Sequence, residues 1–214
     1  MDPRQAPVID KADCEFCPPR RQLEWYNTPV ASDNDHALAI PSLGSFVPGY
    51  LLVLPVSHVT ASCRVSASSK IRLATFVSDM TSRLAALYRI PITVFEHGAC
   101  SSSEQPQSAC INHAHIHLIP GSYNLLSEAP TPVCKYDSLQ EFLNEERDEP
   151  HLMIQDPGGP FMSFEDMPTS QFFRRIIARR LGIPDHWDYA AAPFDENIMQ
   201  TYKDFGIEVT PDQC

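Results

Sequence analysis

His113, His115 and His117 stand at alternate positions of one short stretch. In an extended chain, alternate side chains share a face and lie about 6.5–7 Å apart. Three imidazoles so placed can surround one small group. A lone histidine is usually an ordinary core or surface residue, but burying three titratable rings without a task costs stability. Two chemistries suit the set. One is a catalytic metal ion, for which His-x-His on a strand is a common holder. The other is nucleophilic catalysis. Neutral imidazole, with a pKa of about 6.5, is both nucleophile and proton carrier near neutral pH. Attack on phosphorus would give a phospho-histidine and split one hard displacement into two. Cys14 and Cys17 form a second chemically able pair, a Cys-x-x-Cys suited to redox work or to metal. The redox role needs a βαβ setting, and Pro18-Pro19 breaks any helix there.

The elements that would position these residues can be read from pattern. Ile111 to Ile119 alternates strictly, with the three histidines on one face and Ala114, Ile116 and Leu118 on the other. Apolar runs at His36–Ile40, Tyr50–Leu54 and Ile92–Glu96 predict three more strands, the first two closed by Pro41 and Pro55. Residues 66 to 89 predict a long helix, capped by Ser66 or Ser68, with Ile71, Ala74, Val77, Met80, Leu84, Leu87 and Tyr88 at helical spacing. Gly98 to Ser108 is a polar loop, and residues 1 to 12 form a loose arm. Further on, Ser138–Arg147, Thr169–Leu181 and Asp195–Phe205 predict helices. Leu152–Gln155 and Phe161–Phe164 flank an Asp-Pro-Gly-Gly-Pro hairpin turn. Arg174, Arg175, Arg179 and Arg180 lie on the flanks of the second of these helices. They are expected to form a solvated face paired with the acidic segment 141–149 rather than to steer a phosphate. Trp187 and Tyr189 are expected in the core.

The sequence His113-Ala114-His115-Ile116-His117-Leu118-Ile119 fits His-φ-His-φ-His-φ-φ, with φ apolar, and resembles the signature of the histidine triad (HIT) family. Three further features match in order: Gly49 to Val59, Val94 to Gly98, and Cys14-Glu15-Phe16-Cys17, which resembles the cysteine pair of zinc-containing members. The resemblance covers residues 14 to 120. It implies a nucleotide hydrolase or transferase acting at the α-phosphate of a nucleoside monophosphate conjugate. His115 would be the nucleophile and form a nucleotidyl-histidine; His117 would contact the phosphate or the scissile oxygen. A structural zinc would sit on Cys14, Cys17, His58 and His113. Substrate contacts fall on Ser42, at the position of a ribose-binding Asp, and on Ser108 and Cys110 just before the triad. His97 either touches substrate or faces solvent at a strand end. Two departures stand out: Gln107-Ser108-Ala109-Cys110 lacks the family's Gly-Gln-Ser, and Ser42 replaces the Asp. His117 is not glutamine, which favours the hydrolase branch over the uridylyltransferase branch.

The implied fold is α+β: an antiparallel sheet with a main helix (HIT-like), plus a C-terminal α/β extension. The chain divides into an arm at 1–13, a catalytic domain at 14–122 and an extension at 123–214 packed on it. The extension either covers the nucleotide pocket or replaces part of a dimer interface, and a homodimer stays open. The alternatives to hydrolysis are a nucleotidyltransferase or phosphorylase using His115, a metallohydrolase with all three histidines on one ion, and a nucleotide-binding module without turnover. The whole composition fits. The 214 residues carry 16 Lys plus Arg against 27 Asp plus Glu, a net charge of −11. That argues against binding a nucleic-acid polymer. Seven cysteines, an odd number, argue against a disulfide framework. No apolar run approaches the ~20 residues of a membrane span, and the first residues lack a secretory pattern. A cytoplasmic protein with no membrane partner is expected.

Overall fold

The structure, a computed structural model, describes residues 14–99, 113–132, 134–145, 147, 149–165 and 169–210. Eight strands form one antiparallel sheet: β1 (Ala31–Asp33), β2 (Ala37–Pro41), β3 (Leu51–Pro55), β4 (Ile92–Gly98), β5 (Ile116–Pro120), β6 (Cys134–Tyr136), β7 (His151–Gln155) and β8 (Phe161–Glu165). Their order across the sheet is β1-β2-β3-β5-β4-β7-β8-β6. Four helices accompany them: α1 (Ala67–Tyr88), α2 (Leu139–Asn144), α3 (Phe172–Arg180) and α4 (Asp195–Asp204). The α+β architecture with a main helix is therefore as expected. Strands from both sides of the expected boundary at residue 122 share this sheet: β7 pairs directly with β4 through Phe95↔Ile154 and Glu96↔Met153.

Strand alternation gives the sheet two apolar faces, and each is covered. Ala37, Ala39, Leu51, Val53, Val94, Ile116 and Leu118 pack on Leu73, Val77, Met80 and Leu84 of α1, with α2 and α4 beside it. Ile40, Leu52, Phe95, Leu152 and Ile154 face the other way, against Phe173, Ile176 and Ile177 of α3. Each fully buried aliphatic or aromatic side chain contributes roughly 1.5–3 kcal/mol, so both helical layers are firmly held. The α1 stripe is narrower than its periodicity implies: Ile71 and Leu87 are exposed. Ser66 takes the cap position, but its hydroxyl meets the Ser69 hydroxyl at 2.9 Å and not a backbone N–H.

The strand expected over 111–119 begins at Ile116. Its pairing with β3 runs from Leu51↔Leu118 to Val53↔Ile116 and stops there. Beyond that point the Ala114 N–H donates to the Val59 carbonyl (2.7 Å), following the chain that leaves β3 after Pro55. His113 and His115 thus precede the strand, and His117 lies within it. Two edge strands, β1 and β6, have no counterpart in the sequence reading.

Candidate functional site

Four donors converge where the amino-terminal segment meets the 113–115 turn. Cys14 Sγ lies 3.3 Å from His113 Nδ1. Cys17 Sγ lies 3.5 Å from His113 Nδ1 and 3.5 Å from His58 Nδ1. All four ligand atoms fall within 4.8 Å of one another. A tetrahedral ion with bonds of about 2.3 Å to sulfur and 2.0–2.1 Å to nitrogen requires sulfur–nitrogen spacings of roughly 3.6 Å, so the residues fit such an ion. The ring of His113 is set for the task. Its Nε2–H donates to the Pro55 carbonyl at 2.9 Å, which leaves the Nδ1 lone pair facing the cysteines. Burial lowers the His113 pKa to about 4, so the ring is neutral and available as a ligand.

His113 therefore belongs to this cluster and not to an ion shared with His115 and His117. Among the described residues the metal-capable group contains neither of those two. The expected alternative of three histidines on one ion is corrected by that grouping. The physical reason is the Pro55 carbonyl, which turns the His113 ring toward the cysteines.

The second and third histidines open into a pocket on the α3 face of the sheet. Their ring centroids are 4.8 Å apart. His115 Nδ1–H donates to the His113 carbonyl at 2.6 Å, so its Nε2 carries the lone pair. His117 stacks on Phe95, with centroids 4.2 Å apart and planes at 11°. Its Nδ1 lies 2.9 Å from the Tyr50 hydroxyl. Burial raises the Tyr50 pKa, against an opposing pull from Arg174, and the phenol stays protonated. Burial also lowers the pKa of both histidines. For His117 the shift is large and is reinforced by His115, His97 and Arg174. Two neutral imidazoles side by side can act as nucleophile and proton carrier.

Ser42 and His97, expected as substrate contacts, both line this pocket. His97 is buried, with its ring 4.7 Å from that of Phe173, so its solvent-facing alternative does not hold. Ser108 and Cys110 lie outside the described residues. The sequence reading missed Phe16, Asn27 and the extension residues Gln171, Arg174 and Tyr189 as pocket walls, and Tyr50 as the partner of His117. Phe16 was legible as the apolar residue inside the cysteine motif, and its ring stands 5.9 Å from both His113 and His115. Tyr189 was expected in the core and instead lines the pocket half-buried.

The arginine face also differs from expectation. Arg179 and Arg180 pair with Glu128, and among the described residues of segment 141–149 none pairs with them. Arg175 lies over the Trp187 ring. Arg174 is buried and reaches the pocket.

No family model and no curated protein matches the chain. Solved structures similar to it include a HIT-like protein involved in cell-cycle regulation from Bartonella henselae. That match has 19% identity and a TM-score of 0.37, covering 44% of this chain and 68% of the other. A HIT family protein from Bacillus anthracis matches at 17% identity and TM-score 0.36, over 42% of this chain and 62%, less than two thirds, of its own. A hypothetical protein from Leishmania major matches at 18% identity and TM-score 0.38, over 51% and 73%. These likenesses are partial, and the roles of the site residues rest on the site itself.

Proposed function

We propose that this chain is a nucleotide hydrolase of the histidine triad type. It would cleave a nucleoside monophosphate conjugate at its α-phosphate through a covalent intermediate on His115. The observation that carries the reading is the pairing of two neutral, buried histidines at one pocket, the first with Nδ1 tied to the His113 carbonyl and Nε2 available. The His115 Nε2 lone pair attacks phosphorus in line, and the bond to the leaving-group oxygen or nitrogen breaks. With the Tyr50 hydroxyl donating to His117 Nδ1, the proton of His117 sits on Nε2; as it passes to the leaving group, the Tyr50 proton moves to Nδ1 and the ring stays neutral. Water then attacks the phosphorus, the P–N bond to His115 breaks, the water's proton returns to His117 Nε2 and the Nδ1 proton returns to Tyr50. Positioning and charge stabilisation dominate such transfers.

In this reading the ion held by Cys14, Cys17, His58 and His113 is zinc, and its role is structural. A closed Cys₂His₂ set supplies folding energy and keeps no open position. It ties the amino-terminal segment, and with it Phe16, to the turn that carries His115.

The test is direct. The native protein, incubated with conjugates labelled at the α-phosphate and quenched in base, should carry label, and His115→Ala should carry none while keeping its fold. Substantial turnover by His115→Ala would overturn the nucleophile assignment. Product formation that requires added phosphate or sugar phosphate would place the chain among transferases instead.

A further inference from the structure

Glu96 is a carboxylate with no solvent exposure, and the histidine chemistry leaves it unused. Residues of β4 alternate, so Glu96 falls with Val94 on the α1 face, while Phe95 and His97 face the pocket. A charge so far from water is expensive unless it is matched. Among the described residues no Lys or Arg pairs with it, and its ionic neighbour is His151 of β7, at 3.9 Å. The His151 ring donates Nδ1–H to the Glu149 carbonyl at 3.3 Å, and its Nε2 makes no hydrogen bond. The carboxylate is held instead by Ser62, whose N–H donates to Oε1 at 2.7 Å and whose hydroxyl donates to Oε2. The extension closes this pair from water. The His151 ring lies over Gly98, where a Cβ would come within 2.3 Å of it, and the Phe142 ring stands behind with centroids 5.4 Å apart.

Two routes lead from Glu96 to the nucleophile. The first is mechanical. Ser62 closes the segment from which the His115 turn hangs: the Val59 carbonyl accepts from the Ala114 N–H at 2.7 Å, and the Thr60 carbonyl from the Ala99 N–H at 3.1 Å. Ala114 joins His113 to His115, and the His115 Nδ1–H donates to the His113 carbonyl at 2.6 Å. Glu96 thus reaches the ring through Ser62, the chain back to Val59, and the Ala114 N–H. The second route is electrostatic. The β4–β5 register sets Glu96 opposite Ile116, the residue after His115. Burial lowers the pKa of His115, and the His113 carbonyl and the Glu96 charge oppose it, so the charge is felt at the ring.

We infer that Glu96 is a positioning residue for His115, acting from behind the sheet: its two oxygens pin the segment that holds the His115 turn, and its charge stands behind the cation that forms on that ring. The inference rests on the nucleotide reading and adds to it the support of its nucleophile. His115 attacks as a neutral ring with its proton on Nδ1. As Nε2 bonds to phosphorus and the leaving group departs with its electron pair, the ring keeps that proton and becomes cationic. An anion already fixed in place favours that state without rearrangement during the step.

Single-turnover kinetics of the full chain test it. The probes are the 4-nitrophenyl esters of adenosine, guanosine, cytidine and uridine 5′-monophosphate, whose nitrophenolate leaves without a proton and reports attack by His115 directly. With protein in excess, the rate constant at saturation measures the attack, and the half-saturation concentration measures binding. Glu96→Gln keeps the size of the side chain and an acceptor for the Ser62 N–H but removes the charge. It should lower the saturating rate constant at least about tenfold and move half-saturation by less than about twofold, with zinc content and fold unchanged. Ser62→Ala keeps the charge but frees one carboxylate oxygen, and should lower the same rate constant about threefold or more. An unchanged rate constant in either variant overturns the inference and leaves the nucleotide reading standing. A loss confined to half-saturation, or one that follows lost zinc, assigns Glu96 to the fold and overturns it as well. Should Glu96→Gln fail to fold, Ser62→Ala decides by the same criterion. Release of no nitrophenolate by the native chain from any of the esters overturns the inference and the nucleotide reading together.

Discussion

Tyr50 decides what His117 can do. Its hydroxyl, 2.9 Å from His117 Nδ1, belongs to a side chain with no solvent exposure, flanked by Phe46 on one side and Arg174 on another. If the phenol donates to Nδ1, the proton of His117 is held on Nε2, where a leaving group can take it. Tyr50→Phe removes that constraint and changes the volume by one hydroxyl. The expected outcome is a fall in kcat/KM of about tenfold, one hydrogen bond's worth, for conjugates with an amine or alkoxide leaving group. Conjugates with a phenolate leaving group, which needs no proton, should scarcely change. Equal losses for both classes would show that Tyr50 supports the fold and not the proton on His117. No local pattern in the sequence announces this role, because Tyr50 reads there as one more member of an apolar strand.

Elements differ in how far their sequence foretold them. Helix α1 and strands β2, β3 and β4 carry strong periodicity or proline stops, and they occur where the pattern places them. The edge strands β1 and β6 have three residues each, too few to show a period. Arg174 shows a deeper limit. It hydrogen-bonds the Gly44 carbonyl, 130 residues away, and lies over the Phe46 ring, and no window along α3 contains those contacts. The cysteine motif is the opposite case: the resemblance of residues 14 to 120 to zinc-containing family members implied all four donors, which the fold brings within 4.8 Å. That cluster ties the amino-terminal segment to the 113–115 turn, so its loss should act on both. Cys14→Ser should lose bound zinc by elemental analysis. It should also be destabilised by at least about 2 kcal/mol, roughly 4–8 °C in the midpoint for a chain of this size. A native protein that purifies without zinc, or a variant with an unchanged midpoint, would remove the structural ion from the account.

On the scale of the whole molecule, one sheet carries the site and the extension closes it. Strands β7, β8 and β6 prolong the sheet from β4, and α3 covers the histidine face. Covering that face buries His115 and His117 among apolar groups, and the burial has a thermodynamic consequence. Burial holds the folded-state pKa of both histidines below the usual value, and for His117 well below it. In the unfolded chain each titrates near 6.5. Below about pH 6.5 the unfolded state thus binds protons that the folded state refuses, and stability falls as the pH falls. Above that value the contribution is fully present. Each such histidine should add a slope of about 1.4 kcal/mol per pH unit. Acid release of an ion from the cysteine cluster would act in the same direction, so the slope of the native protein alone is ambiguous. His117→Gln separates the two effects, because it keeps the cluster and removes one titrating ring. Denaturant unfolding between about pH 7.5 and 5.5 should show a shallower acid loss in His117→Gln than in the native chain, by close to one proton's slope. Parallel loss in the two proteins would mean that His117 is protonated as readily in the folded state as in the unfolded one, and that α3 does not seal the histidine face from water.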